Sequence, residues 1–392
     1  MGNRKRAVLF SLYILPFMLN IALIDFLIPI KYDVVLENLP FFGLLVTIAW
    51  LASSFLDFAV GDITDRLGIR KTIQLGILFS FFGSMLFAFS ENFLGMTFGV
   101  FIWGLSYIML TLPSDTYLFS AFPKKYYGSA YGWMYFFYDL AYAVAPLLGF
   151  VIVSFFGVNA AIIASAILVL FTLPMILGIR NKGKEGVVQA IDNVLYKDGI
   201  IKKGFKDIKK MNLKELSLLF NMFICGVWFM TVMIGAPLLF FHGERNLFYG
   251  ALLTFAFMIP FASMELAYGK LSNSPNRRNN MIKFGFLLSS ILLFLFYFTK
   301  NFYLLLGLAA LITLATNMGW TSTEVEVSRY LPKGRKGEFM GVFMTGKDLG
   351  FDIAPLFYGV FAVFGLKVPF FILGVLILVA WMFFMIAQRK SR

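Results

Sequence analysis

Long apolar runs separated by short polar gaps recur along the whole chain of 392 residues. A spanning α-helix needs about 20 mainly apolar residues to cross a hydrocarbon core about 30 Å thick. Twelve stretches meet that need: 7–30, 38–60, 72–90, 93–119, 127–156, 159–179, 216–241, 247–268, 281–299, 302–328, 338–364 and 368–388. None shows the two-residue alternation over about ten residues that marks the strands of a membrane barrel. The expected fold class is an all-α membrane protein with twelve transmembrane helices. The first stretch follows Arg4, Lys5 and Arg6, but it is too long for a signal peptide and lacks a small-residue cleavage site. It is expected to stay as the first helix.

With twelve spans the polar gaps alternate between two sides, and the basic residues sort with them. The side holding both termini carries 29 Lys and Arg, at 4–6, 66–71, 124–125, 180–214, 270–283, 329–336 and 389–392. The other side has Lys31, Arg245, Lys300 and Lys367, and Lys347 falls inside a span. Basic loops stay in the cytoplasm, so both termini are expected there, with the protein in the cell membrane.

Composition agrees, since 60% hydrophobic and 14% charged residues leave too little polar surface for a water-soluble globule. The net charge of +13 follows from topology and anionic headgroups, and no nucleic-acid partner is expected. A single cysteine, Cys225, excludes an internal disulfide and a cysteine-based metal site, and a single histidine, His242, excludes a histidine cluster. No metal or cofactor is expected. Without a zinc motif or phosphate loop, neither is enzyme activity. The partners expected are the bilayer, a small-molecule substrate and protons or sodium, for a chain acting as a monomer.

The longest gap, 180–214, carries ten Lys and Arg and divides the spans six and six. This gives an N-terminal bundle, 1–179, a basic linker expected to lie on the inner leaflet as short amphipathic helices, and a C-terminal bundle, 215–392. At an offset of 209, residues 123–147 align with 332–356 at nine identities in 25, including Gly128 with Gly337, Gly132 with Gly341, Asp139 with Asp348 and Pro146 with Pro355. Asp115 meets Glu324 at the same offset, and a shift to 208 pairs Asp57 with Glu265, Arg70 with Arg278 and Pro29 with Pro237. Six helices repeated in one orientation imply a pseudo-twofold axis along the membrane normal, with a cavity between the halves.

The densest charge cluster between two spans reads "GDITDRLGIRK", Gly61 to Lys71. Gly61 lets helices approach, Gly68 permits a tight turn, and Asp65 at a helix end can hold basic residues of a neighbouring bundle. With Gly61, Asp65, Arg66, Gly68, Arg70 and Lys71 in place between helices 2 and 3, the stretch resembles motif A of the major facilitator superfamily. The six-plus-six layout resembles that family over the whole chain. The resemblance implies a conformational latch in which Asp65 works with a basic residue and with an acid near the end of helix 4, here Asp115. Ile69 takes the family's basic position, leaving Arg70 or Arg66 to substitute. The copy in the second half, "GKLSNSPNRR", keeps Gly269, Arg277 and Arg278 but has Asn273 for the acid. Plain topogenic charge is the competing reading of the cluster.

Helix 5 also resembles the family's motif C, a feature of antiporters, through Gly132, Ala145, Pro146 and Gly149, with Pro355 in helix 11 as the repeat partner. Small residues beside a proline allow close packing and a hinge, or close packing alone.

An ionised side chain at mid-membrane costs about 2.5–3.5 kcal/mol even on the lenient insertion scale, so each needs a partner, a proton or a wet cavity. The candidates are Asp25 in helix 1, Asp139 in helix 5, Glu324 and Glu326 in helix 10, and Lys347, Asp348 and Asp352 in helix 11. Asp139 and Asp348 are expected to carry or relay protons, with Lys347 balancing charge. Asp25 has no acidic repeat partner, which suits a substrate or proton site. Each acid could instead make a structural ion pair or hydrogen bond, as Asp57 and Glu265 near helix ends are expected to do. Trp133, Tyr138, Tyr142, Trp228 and Trp320 fall where an aromatic cavity could take apolar or cationic guests, or could simply pack.

Taken with the resemblance, these residues imply a secondary active transporter working by alternating access, with proton-coupled export of a small organic compound expected. The alternatives are proton-linked uptake of a nutrient or organic anion, with Lys347 as binding charge, and a non-transporting sensor or lipid-handling protein.

Overall fold

Inside a bilayer a backbone has no water to bond, so long apolar runs close their hydrogen bonds internally as helices. The computed structural model describes residues 3–36, 38–54, 60, 63–64, 66–121, 127–178, 211–242, 246–330 and 336–390, and of these the side chains of 3–7, 36, 115–116, 118–121, 127–132, 265–266, 328–330 and 336–342 lie outside the description. No strand occurs among the described residues.

Each expected span has a helix. We label them α1 (Asn3–Leu36), α2 (Leu39–Ser54), α3 (Ile69–Phe89), α4 (Phe93–Ala121), α5 (Tyr127–Phe156), α6 (Val158–Leu170), α7 (Leu213–Phe241), α8 (Leu247–Leu271), α9 (Pro275–Phe298), α10 (Phe302–Tyr330), α11 (Lys336–Ala362) and α12 (Val368–Lys390). Ten are long and apolar enough to cross a membrane. Of the other two, α2 is described over 16 residues, and α11 carries Lys347, Asp348 and Asp352. The chain is a multi-pass helical membrane protein. Large apolar side chains on its outside, such as Phe155 (77% exposed), Tyr303 (80%) and Phe364 (75%), stand at helix ends where aromatic residues meet a bilayer interface.

Two boundaries differ from the sequence expectation, each for a local reason. The sixth span breaks after Leu170 and continues as a short helix, Thr172–Met175, and a 3-10 turn, Ile176–Gly178. Pro174 has no N–H for the Leu170 carbonyl and its ring crowds that carbonyl, so the regular helix stops there. The ninth helix begins at Pro275, not at 281, because a proline is favoured at the first helical position after Ser274. That change takes Arg277 and Arg278 out of a loop and into a helix. At the start of α7, Asn212 and Glu215 form a capping box, with the Glu215 N–H donating to Asn212 Oδ1 (2.9 Å) and the Asn212 N–H to Glu215 Oε2 (2.8 Å).

The chain divides into two compact units, Met1–Glu37 with Ile48–Ile200, and Asn38–Thr47 with Ile201–Arg392. In the first, α3 packs on α4 and α6, and α1 on α5 and α6; in the second, α9 packs on α10 and α12, and α7 on α11 and α12. Adding six to each helix number in the first set gives the second, as the duplication requires. A pair of glycines shows the repeat at atomic level. A Cβ on Gly76 would meet Met109 Cβ of α4 at 2.9 Å, and one on Gly285, 209 residues on, would meet the Ala315 carbonyl of α10 at 2.7 Å. Inner positions fall to α1 and α7, whose most apolar windows are 72% and 83% buried against 39–56% elsewhere.

Candidate functional site

In the first unit, α5 carries Tyr138 and Tyr142 four residues apart and hence on one face, their rings 4.9 Å apart between centroids. The Tyr142 hydroxyl donates to Asp25 Oδ2 of α1 at 2.6 Å, and the Tyr138 hydroxyl lies 3.3 Å from those of Tyr142 and of Tyr107 on α4. Three tyrosines from two helices thus form a hydroxyl chain ending on the buried carboxyl of Asp25. Each hydroxyl has one proton and can both donate and accept, so the chain can reverse its direction.

Backbone chemistry reinforces the spot. Pro29 lies four residues after Asp25 and Pro146 four after Tyr142, and neither has an N–H to give the carbonyl four residues back. Gly149 brings the two helices together, since a Cβ there would meet the Phe26 ring at 2.8 Å. Ala145 and Pro146 are buried in the same stretch; Gly132 lies outside the described side chains.

A second polar knot lies along α1. Asn20 accepts from Ser80 of α3 and from Trp103 Nε1 of α4 (3.4 Å) and donates to Ser165 of α6 (2.8 Å). Sequence reading passed over it, because a lone asparagine among apolar residues gives no sign of how many helices it reaches. Lys31, read there as a loop residue, belongs to α1. Its Nζ donates to the carbonyls of Phe87 (2.5 Å) and Ala88 (2.7 Å) and to Asn159 (3.0 Å), closing the C-terminal end of α3.

In the second unit the acids separate into different roles. Glu326 accepts from Lys214 of α7 at 2.7 Å and from Arg278 of α9 at 2.5 Å, so it is the hub of a buried ion triad. Arg278 also donates to the Ser272 carbonyl (2.9 Å). The repeat offset pairs Asp115 with Glu324, and the apolar pattern puts Arg278 in a loop, yet the acid that meets this arginine is Glu326. Glu324 instead accepts from Trp320 Nε1 at 2.8 Å. Lys347 stands over the Phe351 ring, 5.7 Å from its centroid. Asp348 is half-buried and Asp352 buried, both on α11, and Asp139 is buried on α5 three residues before Tyr142.

Around Glu324 and Lys347 lies an aromatic group drawn from four helices. Phe229 of α7, Phe261 of α8, Trp320 of α10 and Phe351 of α11 stand with ring centroids 5.6–6.5 Å apart, and Trp228 joins Phe261 at 5.6 Å. Close approach of α7 and α11 fixes its frame. Gly226 faces the Lys347 carbonyl and Gly350 the Phe223 carbonyl, and no Cβ would fit at either.

Of the motif A residues, Gly61 and Asp65 lie outside the described residues, and the side chain of Asp115 likewise. Gly68 takes φ 83 just before α3, a conformation that favours glycine, which matches the tight turn expected there. Arg70 Nη1 donates to the Leu177 carbonyl at 3.3 Å; Arg66 is half-buried and Lys71 exposed. Asp57 and the side chain of Glu265 fall outside the description. Among the described residues no group of His, Cys, Asp and Glu is placed to hold a metal ion.

A family model described as the Major Facilitator Superfamily matches residues 10–252 and 218–392. The chain is 22% identical over 329 residues to an uncharacterized MFS-type transporter of Methanocaldococcus jannaschii, covering 80% of this chain and 79% of that one. Among solved structures it is similar to a POT family transporter in complex with a thioalcohol-conjugated peptide, at TM-score 0.74 and 13% identity, over 99% of this chain and 96% of that one. It is also similar to a POT family transporter in complex with 5-aminolevulinic acid, at TM-score 0.74 and 12% identity, with the same coverage. At these identities the structural likeness establishes the fold.

Proposed function

The chain belongs to the major facilitator superfamily, and on that basis we propose that it is a secondary active transporter that exports a small organic solute in exchange for protons. The observation that carries the proton coupling is the Asp25 carboxyl, held by the Tyr142 hydroxyl at 2.6 Å in the interior of the first unit and continued by Tyr138 and Tyr107. An ionised aspartate there costs about 2.5–3.5 kcal/mol without a partner, proton or water. Accepting a proton removes that cost, and losing it restores the cost, so the site's charge can bias a two-state equilibrium.

In this reading Asp25 takes the coupling proton, the tyrosines hand it along, and Asp139, Asp348 and Asp352 are secondary proton sites. Two six-helix bundles, 1–179 and 215–392, alternate access about the hinge stretches around Gly132, Ala145, Pro146, Gly149 and Pro355. Asp65, Arg66, Arg70, Lys71 and Asp115, with Gly61 and Gly68, latch one state. Both termini and the 180–214 linker lie in the cytoplasm of a monomer in the cell membrane. The ligands named for the two similar POT structures, a peptide conjugate and 5-aminolevulinic acid, support a small-molecule substrate. The motif C likeness in α5 supports export over uptake.

Proteoliposomes with an imposed pH gradient test the reading. Transport of members of a compound panel should run against the proton flow, and Asp25→Asn should lower gradient-driven exchange at least about tenfold, roughly 1.4 kcal/mol, while leaving solute equilibration without a gradient. Solute moving with the protons would establish uptake instead. An Asp25→Asn protein that still exchanges at the parent rate would remove Asp25 from the coupling.

A further inference from the structure

Glu324 and Lys347 are opposite charges in the membrane-embedded part of the second unit, and neither has an ion-pair partner within 4.0 Å among the described residues. Glu324 accepts from Trp320 Nε1, and Lys347 stands over the Phe351 ring. Asp348, next to Lys347 in the chain, points about 100° round the helix, within electrostatic reach of Lys347 but outside ion-pair distance. This contrasts with Glu326, two residues along α10, which is satisfied by two cations. Both side chains are half-buried, and Cys225 of α7 lies within electrostatic reach of both, which places them around one region of the unit. Ionised groups within a membrane protein face its interior or a wet cavity, not lipid.

Between the two charges stands the aromatic wall. Phe229, Phe261 and Trp320 keep 6%, 7% and 8% exposure, where most of the core keeps none. On the same helices Trp228 Nε1 and Asn317 Nδ2 are buried with no hydrogen-bond partner among the described residues, a state that folded proteins seldom tolerate without a role beyond packing. Trp320 holds one Glu324 oxygen and leaves the other open to accept, and the Lys347 ammonium has three donors and no carboxylate within 4.0 Å among the described residues.

We infer that this region binds a small solute carrying both an ammonium and a carboxylate on an apolar or aromatic body: Glu324 takes the ammonium, Lys347 the carboxylate, and Phe229, Phe261, Trp320 and Phe351 the body. The inference rests on the transporter reading for its purpose. A solute with a lone positive charge would be repelled by Lys347, and one with a lone negative charge by Glu324. Only a solute with both neutralises the two. The Gly226 and Gly350 contacts hold the Lys347 backbone against α7, so the position of that charge on the helix pair is anchored before the solute arrives.

The test is direct binding to the purified full chain by calorimetry, with three probes sharing one body: phenylalanine, 2-phenylethylamine and 3-phenylpropanoate. Phenylalanine should bind at least about tenfold more tightly than either, because each partial analogue leaves a buried charge unmatched. Glu324→Gln should erase its advantage over 3-phenylpropanoate, and Lys347→Gln its advantage over 2-phenylethylamine. A parallel series of norleucine, pentylamine and hexanoate covers an aliphatic body. Equal binding of the three probes in both series overturns the inference without need of any variant, as does a preference that survives both substitutions. The outcome is separable from the transporter reading: preferred zwitterion binding with no solute movement in proteoliposomes overturns transport alone, and transport without the preference overturns this inference alone.

Discussion

The two units share a scaffold and differ at the places where chemistry would occur. At offsets of 208 and 209, Asp25, Tyr142, Tyr138 and Tyr107 of the first unit correspond to Met233, Phe351, Lys347 and Thr316 of the second. The same helical positions therefore hold a carboxyl with a hydroxyl chain in one unit, and an aromatic wall with a single ammonium in the other. Prolines four residues beyond Asp25 and Tyr142 recur beyond Met233 and Phe351, so the backbone device is common to both. Duplication preserves helix contacts because a change there unpacks a bundle, while side chains that face the interior can diverge without cost to the fold. The proposed division of labour, the primary coupling proton in the first unit and the solute in the second, follows that divergence.

Glu326 offers the sharpest way to test how differently the units treat their acids. Replacing it with Gln leaves Arg278 buried without a counter-charge and should cost about 3–5 kcal/mol of stability, read as a large fall in melting temperature. An apolar pair, Arg278→Met with Glu326→Leu, should recover most of the loss, since Lys214 has the reach to solvate its own charge. Asp25→Asn, by contrast, should leave the melting temperature near the parent value, and a collapse there would mean that Asp25 is structural.

A smaller difference is expected from the glycines that set helix approach. Gly226→Ala forces a methyl into the Lys347 carbonyl, whereas Gly149→Ala meets only the Phe26 ring, which can turn. The first should cost about 1–3 kcal/mol and the second less, as measured by thermal denaturation. Equal losses would show that the two units are packed with the same stiffness.

The repeat partners Tyr142 and Phe351 separate the proposed roles. Tyr142→Phe removes the hydroxyl from Asp25 and should slow proton-driven exchange about fivefold, roughly 1 kcal/mol, while Phe351→Tyr should leave it unchanged. If both substitutions slow exchange alike, the primary coupling proton is not confined to the first unit.

The smallest effects concern two lysines that do the same job from different places. Lys31 reaches the carbonyls of Phe87 and Ala88 at the end of α3, and Lys367 the Thr299 carbonyl at the end of α9 (2.5 Å). Each stands near an aromatic ring, Phe87 at 5.1 Å and Phe296 at 6.0 Å, and those phenylalanines are repeat partners at offset 209. Lys31→Met and Lys367→Met should each lower stability by about 0.3–1 kcal/mol through the lost charge at a helix C-terminus. A loss confined to one unit would show that the resemblance of the two caps is only geometric.

Much of this was legible in the chain. Apolar run length dictated where helices form, because a bilayer offers the backbone no other partner. The internal offset foretold which helices pair, and the position of Asp25 deep in an apolar run marked it before any partner was visible. The partners themselves were not legible. Glu324 and Glu326 are two residues apart and so lie on nearly opposite faces of α10, but sequence spacing does not say which face meets Arg278. The helical assignment of Arg278 depended on Pro275 starting α9 early. Tyr142 was visible as a cavity candidate, and its bond to Asp25, 117 residues away, was not.

The sequence by itself determined the class and the repeated order of the described helices, since these follow from hydrophobic length and from residue identity along one dimension. Tertiary structure alone decided which charged groups are satisfied and which stand ready. Satisfaction is a matter of distances of about 3 Å between helices remote in the chain, and only packing brings Arg278 and Lys214 to Glu326 while leaving Glu324 and Lys347 without a counter-ion among the described residues.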